Sequence, residues 1–448
     1  MRGARLVTVL LLAVAVAVVL WVRLLPLDLP GVSDPAVAAA LRYTGADGRA
    51  HVYLGDRDSY LWLRHARNLL RTGSACEAVV DGECRDTLTL APLGGTARYA
   101  GSLHSAAIVA VHRAATVFVP QFPLPASAYL VTVLIGVLAV FPAFALGRQL
   151  AGPIGGLVAA LMVGLHPAVL QRSLGADNDI WNVALPLATV WAVSAALAAG
   201  PRTALAYALL AGIFSSLHAA IWRGWSFAFA VILGGLAAAF TVHALRWALR
   251  QRNARVWQSP AVRQTSVVAC VYLACAALAT LAVGAEEPAL RVIANLAGDV
   301  FASGGGGQPP AVDLWPSALN TVSELRLPTL GTIAVASYGA LLFFVGWLGL
   351  LALLLPRDGW TPAHFVVWIA GNVLYRYLLT TVLDRRALLA LLALPLLGAV
   401  ALSVTFTKED DERDIGPALL VLTWFLAALY FSYGGLRFIL LLGAPFGV

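Results

Sequence analysis

Long apolar runs broken by short polar interruptions recur from one end of the chain to the other. A bilayer crossing takes about 20 consecutive apolar residues, so each run predicts a membrane-spanning helix. The first is the near-continuous "LVTVLLLAVAVAVVLWV" within 5–24. Further runs predict spans at about 127–147, 153–171, 180–199, 203–220, 225–247, 265–284 and 330–355, and then near 362–383, 387–405, 415–432 and 436–448. The expected fold class is an all-α polytopic membrane protein of about 11–12 helices, with the whole chain, 1–448, forming one transmembrane domain.

Two interruptions are long. Residues 25–126 form a polar first loop, and within it "SLHSAAIVAVHRAATVFVP" is apolar but carries His104, His112 and Arg113, which predicts a helix lying in the interface. The second long loop, 285–328, contains "ASGGGGQPPAVD", whose glycines and prolines oppose regular structure. It reads equally as a plain linker or as a mobile loop that closes over a ligand. Residues 362–405 read as a helix pair joined around "LDRR".

Composition sharpens this picture. With 60% hydrophobic and 12% charged residues the chain is too apolar for a soluble protein. The first run is longer than a signal-peptide core and lacks a small-residue cleavage site, so it predicts a retained helix with Arg2 and Arg5 in the cytoplasm. The net charge of +7 then collects in connections on the same side, at Arg148, Arg202 and above all "LRWALRQRNARVWQSPAVRQ", and requires no nucleic acid. The "KEDDERD" connection at 408–414 falls on that side too. Treating 102–120 as a full span would invert every later assignment. Of four cysteines, Cys270 and Cys275 sit in an apolar run and read as packing residues. Cys76 and Cys84 flank a short loop in a polar segment and form a candidate disulfide if that loop faces an oxidising compartment.

This topology gathers four polar features on the external face. They are Asp56 and Asp58 before the amphipathic stretch "SYLWLRHARNLLRTG", Asp177 and Asp179 in "GADNDIW", Glu324 in "NTVSELRLP", and Arg437 in "YGGLRFILLLGAP". Singly, such carboxylates cap helices, the reading favoured for Asp56 and open for Asp179 before the helix that begins after it. Jointly, carboxylates converging on one cavity repel unless a cation sits between them, and oxygen ligands suit Mg²⁺ or Mn²⁺. A permanent guanidinium nearby suits a phosphate.

The stretches "DRDSYLWLRHARNLL", "GADNDIWNVALPL", "NTVSEL" and "GGLRFILLLGAP", in this order, resemble the catalytic subunit of oligosaccharyltransferase in its single-subunit bacterial and archaeal forms. The resemblance covers nearly the whole chain. It implies a GT-C glycosyltransferase fold with large external first and fifth loops, placed in a prokaryotic inner membrane with its site facing outward. It further implies metal-assisted, inverting transfer of an oligosaccharide from a polyprenyl (pyro)phosphate to the asparagine of an Asn-x-Ser/Thr acceptor. By resemblance Asp58, Asp177 and Glu324 bind the divalent cation, and Asp179 shapes the acceptor site. The "TVSE" stretch from Thr321 to Glu324 contacts the acceptor, and Arg437 holds the donor phosphate. "WRGW", Trp222 to Trp225, resembles an external Trp/Gly motif and reads as a structural corner. A soluble C-terminal, sequon-reading domain with a W-W-D-Y-G motif, usual in the family, is not found here, which suggests a truncated or split enzyme whose partner is a separate C-terminal polypeptide. Alternative readings are another polyprenyl-phosphate-dependent GT-C transferase acting on hydroxyls or lipids, or a non-catalytic half.

Overall fold

Each apolar run that falls among the described residues is helical, because a backbone in hydrocarbon has to satisfy its own N–H and C=O groups. The structure is a computed structural model and describes residues 2–25, 36, 39, 42–45, 48, 50–55, 57–88, 94–97, 99–222, 224–251, 255–285, 287–301, 327–354, 362–363, 366, 369–371, 394, 396–402, 404 and 415–448. Asp56, Thr321 and Glu324, most of the expected loop at 285–328 and most of the expected helix pair at 362–405 lie outside the described residues. Among the described residues five helical stretches are long and apolar enough to cross a membrane, or six if a bent pair counts as one.

The N-terminal helix α1 (Arg2–Leu24) leaves Leu6, Val9 and Val14 exposed along its length, as a lipid-facing helix does. In the first loop, α2 (Asp58–Thr72) and α3 (Leu103–Phe118) pack on one another. At 1.5 Å per residue the 16 residues of α3 reach about 24 Å, short of the hydrocarbon thickness of about 30 Å. The first loop also holds two small antiparallel sheets, one before α2 and one between α2 and α3. Strand β1 (Arg42–Thr44) pairs with β2 (Ala50–Val52), and β4 (Glu83–Asp86) sits between β3 (Ala78–Val80) and β5 (Gly95–Thr96). Cys76 and Cys84 are joined by a disulfide, and Arg64 of α2 pairs with Glu77 at 3.2 Å and with Asp86, fastening the three-stranded sheet to the helix.

Helix α4 (Leu124–Leu138) continues into α5 (Val140–Gly164), a 49-residue helical stretch when α6 (Pro167–Arg172) is included. It is not one long rod. At Ala151 and Gly152 the backbone leaves helical values, Gly152 at a φ of 76°, and Pro153 restarts the helix where its missing N–H is no loss. The two arms then run antiparallel with almost no space between them. A Cβ on Gly147 would lie 2.6 Å from the Ala159 Cβ, and one on Gly156 would lie 2.7 Å from the Phe144 carbonyl. Small residues at a helix contact let backbones approach this closely. The separate spans expected at 127–147 and 153–171 are these two arms.

Helix α7 (Trp181–Ala198) is apolar on every side, and 83% of its apolar window is buried, so it stands at the centre of the bundle. Helices α8 (Pro201–Ala219), α9 (Trp225–Arg250) and α10 (Pro260–Ala282) come next in up-and-down order. α11 (Ala289–Phe301) then leads out of α10. Cys275 packs on Gly212 of α8, whereas Cys270 is exposed, so the packing role expected of it is not observed.

Two expected spans have a different shape. The run at 330–355 divides into α12 (Leu330–Ala336) and α13 (Ala340–Leu354), bent by 94°. Tyr338 and Gly339 adopt φ values of 70° and 91° there, and the Tyr338 hydroxyl donates to the Met162 carbonyl at 2.6 Å. The last run, after α14 (Gly416–Ser432), forms a 3₁₀ turn (Leu436–Leu442) and a short buried helix α15 (Gly443–Gly447). Phe446 stacks on Phe343 at 5.4 Å, and Gly447 presses on Val163, so this segment fills the core. Replacing Gly156 by leucine is expected to lower stability by about 1–3 kcal/mol through overpacking. Gly200→Ala, where a Cβ meets nothing within 4 Å, should be near neutral; thermal unfolding in detergent compares the two.

Candidate active site

The acidic loop between α6 and α7 is buried at every position from 173 to 180 except Leu174. A buried loop has to find partners for its polar groups, and this one takes them from the first loop. The Ser59 hydroxyl accepts from the Ala176 amide at 2.8 Å. Ser59 directly succeeds Asp58 and Ala176 directly precedes Asp177, so this one hydrogen bond ties together the two segments that carry these aspartates. His104 Nε2 lies 2.7 Å from the Ala176 carbonyl, and its Nδ1 accepts from the Trp181 indole at 3.0 Å. That assignment puts the proton on Nε2, and burial, pushing the imidazole pKa down to about 4, keeps the ring neutral.

Asp177 is 1% exposed. Its Oδ1 accepts from the Asn178 amide at 2.7 Å and from the Trp62 indole at 3.1 Å. Asp177 therefore caps the 3₁₀ turn Asn178–Ile180, whereas Asp179, for which a capping role was left open, is engaged by side chains instead. Asp179 Oδ2 receives Arg172 Nε and Nη2, each at 3.1 Å. Its Oδ1 receives Asn182 Nδ2 at 3.4 Å and lies 3.6 Å from Arg437 Nη2. Arg437 enters from the start of the 3₁₀ turn after Gly434 and Gly435, far off in sequence. Burial works against its charge, but Asp179, with Asp177 and Asp58 further off, outweighs this and raises its pKa. Asp58 begins α2 and is exposed. Four of the expected site residues, Asp58, Asp177, Asp179 and Arg437, thus share one corner; Thr321 and Glu324 are outside the described residues.

The supporting residues were not singled out by sequence. Arg23 is 4% exposed at the end of α1; it donates from Nη1 to Ser173 Oγ at 2.7 Å and from Nη2 to the Gly164 carbonyl at 3.1 Å. Gly136 makes room for it, since a Cβ there would lie 2.5 Å from the guanidinium carbon. An arginine inside "LWVRLLP" was the available signal, because a charge in an apolar run needs a reason. Arg172 stands five residues before Asp177, close enough to flag it. His218 and Asn182, joined at 2.9 Å, extend the support behind Asp179; nothing in their local pattern marks them.

Residues 36–448 match the family model described as oligosaccharyl transferase STT3, N-terminal. The chain belongs to this family. Among its relatives is the dolichyl-phosphooligosaccharide-protein glycotransferase of Methanococcus voltae, 22% identical over 431 residues, covering 90% of this chain and 41% of that protein. Among solved structures, the archaeal oligosaccharyltransferase AglB of Archaeoglobus fulgidus, in complex with an inhibitory peptide and a dolichol-phosphate, is similar with a TM-score of 0.54 and 17% identity, covering 100% of this chain and 50% of that one. The Archaeoglobus fulgidus oligosaccharyltransferase tethered to an acceptor peptide containing the NVT sequon gives a TM-score of 0.52 and 17% identity, covering 98% and 48%. This STT3 chain therefore spans about half the length of the relatives it matches, or less. The expected family and GT-C fold class are borne out.

A divalent cation fits the donor type that this STT3 chain offers, since Asp58 and Asp177 supply hard oxygen ligands. Asp179 is taken up by guanidinium groups. Among the described residues no group of three or more His, Cys, Asp or Glu is arranged to hold a metal ion. Ser59→Ala leaves the buried Ala176 amide without its acceptor and is expected to cost about 1–3 kcal/mol; chemical or thermal unfolding measures it. His104→Phe is expected to be at least as damaging, because it strands both the Ala176 carbonyl and the Trp181 indole.

Proposed function

We propose that this chain is the membrane half of an oligosaccharyltransferase that transfers an oligosaccharide from a polyprenyl (pyro)phosphate to the side-chain amide of asparagine in an Asn-x-Ser/Thr acceptor. The observation that carries this reading is the convergence of Asp58, Asp177, Asp179 and Arg437 at one corner of a chain from the STT3 family. The relatives' names support it, one being a dolichyl-phosphooligosaccharide-protein glycotransferase and two solved proteins holding a dolichol-phosphate or an NVT peptide.

Each residue then has a task set by its surroundings. Arg437, 35% exposed and oriented by Asp179, presents a guanidinium to the donor's phosphate. Asp179, between Arg172 and Arg437, holds that arrangement together and borders the acceptor. Asp58 and Asp177, with Glu324 from beyond the described residues, hold a divalent cation, Mg²⁺ or Mn²⁺. When bound, the cation stabilises negative charge on the departing phosphate. Thr321 and Glu324, beyond the described residues, contact the acceptor.

An asparagine amide is a weak nucleophile because its lone pair is delocalised into the carbonyl. Carboxylates that accept its N–H groups favour a rotated amide whose nitrogen keeps the pair. That nitrogen forms a bond to the anomeric carbon as the carbon–oxygen bond to phosphate breaks. The bonding electrons leave with the (pyro)phosphate, and a carboxylate takes one amide proton. Attack opposite the leaving group inverts the anomeric carbon. The site faces away from the cytoplasm of a prokaryotic cell, as the basic connections imply.

Transfer of a polyprenyl-linked glycan to an Asn-x-Thr peptide tests this reading with the protein in membranes or nanodiscs. Asp58→Ala and Asp177→Ala are each expected to lower kcat at least 100-fold, of the order of one lost charge-stabilising contact, and EDTA should abolish transfer until Mn²⁺ or Mg²⁺ is restored. Arg437→Ala should act mainly on donor KM. Transfer that survives both aspartate changes and EDTA would sink the assignment.

A further inference from the structure

Helix α12 closes with the Gly339 amide donating to the Ala334 carbonyl at 2.9 Å, the six-to-one bond of a Schellman motif. The left-handed position of that motif is usually glycine, because a Cβ is strained there. Here it is Tyr338, at a φ of 70°, although a glycine stands next to it at 339. Among the described residues the other non-glycine position with a positive φ is Asp81, a residue type that tolerates this region. Strain kept at a tyrosine points to a use for its side chain.

That side chain joins three segments. Its hydroxyl donates to the Met162 carbonyl near the end of α5 at 2.6 Å. Its ring meets His166 edge to face, centroids 5.2 Å apart, and stacks towards Phe446 of α15 at 6.4 Å and 27°. Phe446 also meets the His166 ring at 6.1 Å. His166, fully buried at the start of α6, has no hydrogen bond on either ring nitrogen, so what it offers this joint is its ring surface. Beside it Gly443 presses on α6, since a Cβ there would lie 2.6 Å from Val169 Cγ2.

Both arms of the joint lead to the acidic corner. α6 ends at Arg172, and Gly443 follows the 3₁₀ turn that carries Arg437, about 12 Å away at 2 Å per residue. These are the two guanidiniums on either side of Asp179. Asp179 does not fix Arg437 by itself: the contact is 3.6 Å, beyond hydrogen-bond length, and the Arg172 charge opposes Arg437. The placement of Arg437 is therefore set by how its segment packs against α6, and Tyr338 closes that packing from behind.

From this geometry we propose that Tyr338 is a positioning residue for donor binding, which clamps the Arg437 segment against α6 and so places the guanidinium where the phosphate of a polyprenyl phosphate arrives. It acts through His166 and Phe446 and not on the substrate itself. The proposal rests on the donor-phosphate reading of Arg437 given above.

The test compares wild type with Tyr338→Gly, Tyr338→Phe and Gly156→Leu in nanodiscs. Tyr338→Gly keeps the left-handed backbone and removes the clamp, Tyr338→Phe keeps the ring and loses the hydroxyl, and Gly156→Leu is a destabilised comparator at the Gly152 hairpin. Donor and acceptor KM are read from transfer, and the Kd values of farnesyl phosphate and Mn²⁺ from titration calorimetry. Tyr338→Gly is expected to raise donor KM and farnesyl phosphate Kd about tenfold, and Tyr338→Phe about two- to threefold. Acceptor KM and Mn²⁺ Kd should stay at wild-type values, and Gly156→Leu should move none of the four. An equal rise with Gly156→Leu, or equal rises in the acceptor and Mn²⁺ constants, would mean general loosening and overturn the proposal. If Tyr338→Gly does not fold, Tyr338→Phe decides, and wild-type donor constants in it overturn the proposal. If wild type transfers no glycan but binds farnesyl phosphate, and Tyr338→Gly weakens that binding, the transferase reading fails and the positioning role stands. Neither transfer nor farnesyl phosphate binding by wild type overturns both.

Discussion

Burying a polar loop at the edge of a hydrocarbon slab is the constraint on which the rest of this structure depends. Residues 173–180 carry two aspartates, an asparagine and a run of peptide groups, and almost none of them reaches solvent. An unpaired amide or carbonyl in such a place is penalised by about 1–3 kcal/mol, and an unpaired charge by more. The first loop exists in part to meet that demand: Ser59, Trp62 and His104 each satisfy a group of the acidic loop. Arg23 does the same from below, tying Ser173 to the Gly164 carbonyl. The hydrogen bond that satisfies the Ala176 amide thereby also ties the segment of Asp58 to that of Asp177.

Charge within this corner is sorted rather than spread. Asp179 takes two guanidiniums, one from Arg172 nearby in sequence and one from Arg437 near the other end of the chain. A bridging carboxylate of this kind fixes two arginines that would otherwise repel, leaving net positive charge on the side where Arg437 is exposed. Asp177 is held instead by neutral donors such as the Trp62 indole, and its charge and that of Asp58 also act on Arg437.

Small residues determine how the helices carrying this corner can meet. Gly147 and Gly156 let α5 fold back on itself at Gly152, and Gly136 opens the space for the Arg23 guanidinium. The closing segment, Gly443 to Gly447, reaches the core by the same means, with Gly447 against Val163. Such contacts leave no room to relax, so the acidic loop is positioned by backbone packing rather than by flexible side chains.

The hydrophobic pattern was enough to find the helices and the hairpin boundary at 147–153, because a bilayer imposes one length and one polarity rule on every span. Motif order was enough to group Asp58, Asp177, Asp179 and Arg437, since unusual charges at apolar borders are visible locally. The sequence did not reveal that Asp177 and not Asp179 caps the 3₁₀ turn, nor that 330–355 breaks at Tyr338, nor that 436–448 folds inward. Those outcomes depend on partners far away in the chain: Trp62 engages Asp177 and Arg437 engages Asp179, Met162 receives the Tyr338 hydroxyl, and Phe343 receives Phe446. Hydropathy reports how a residue partitions between water and lipid; which buried polar group answers which is decided only when the helices pack.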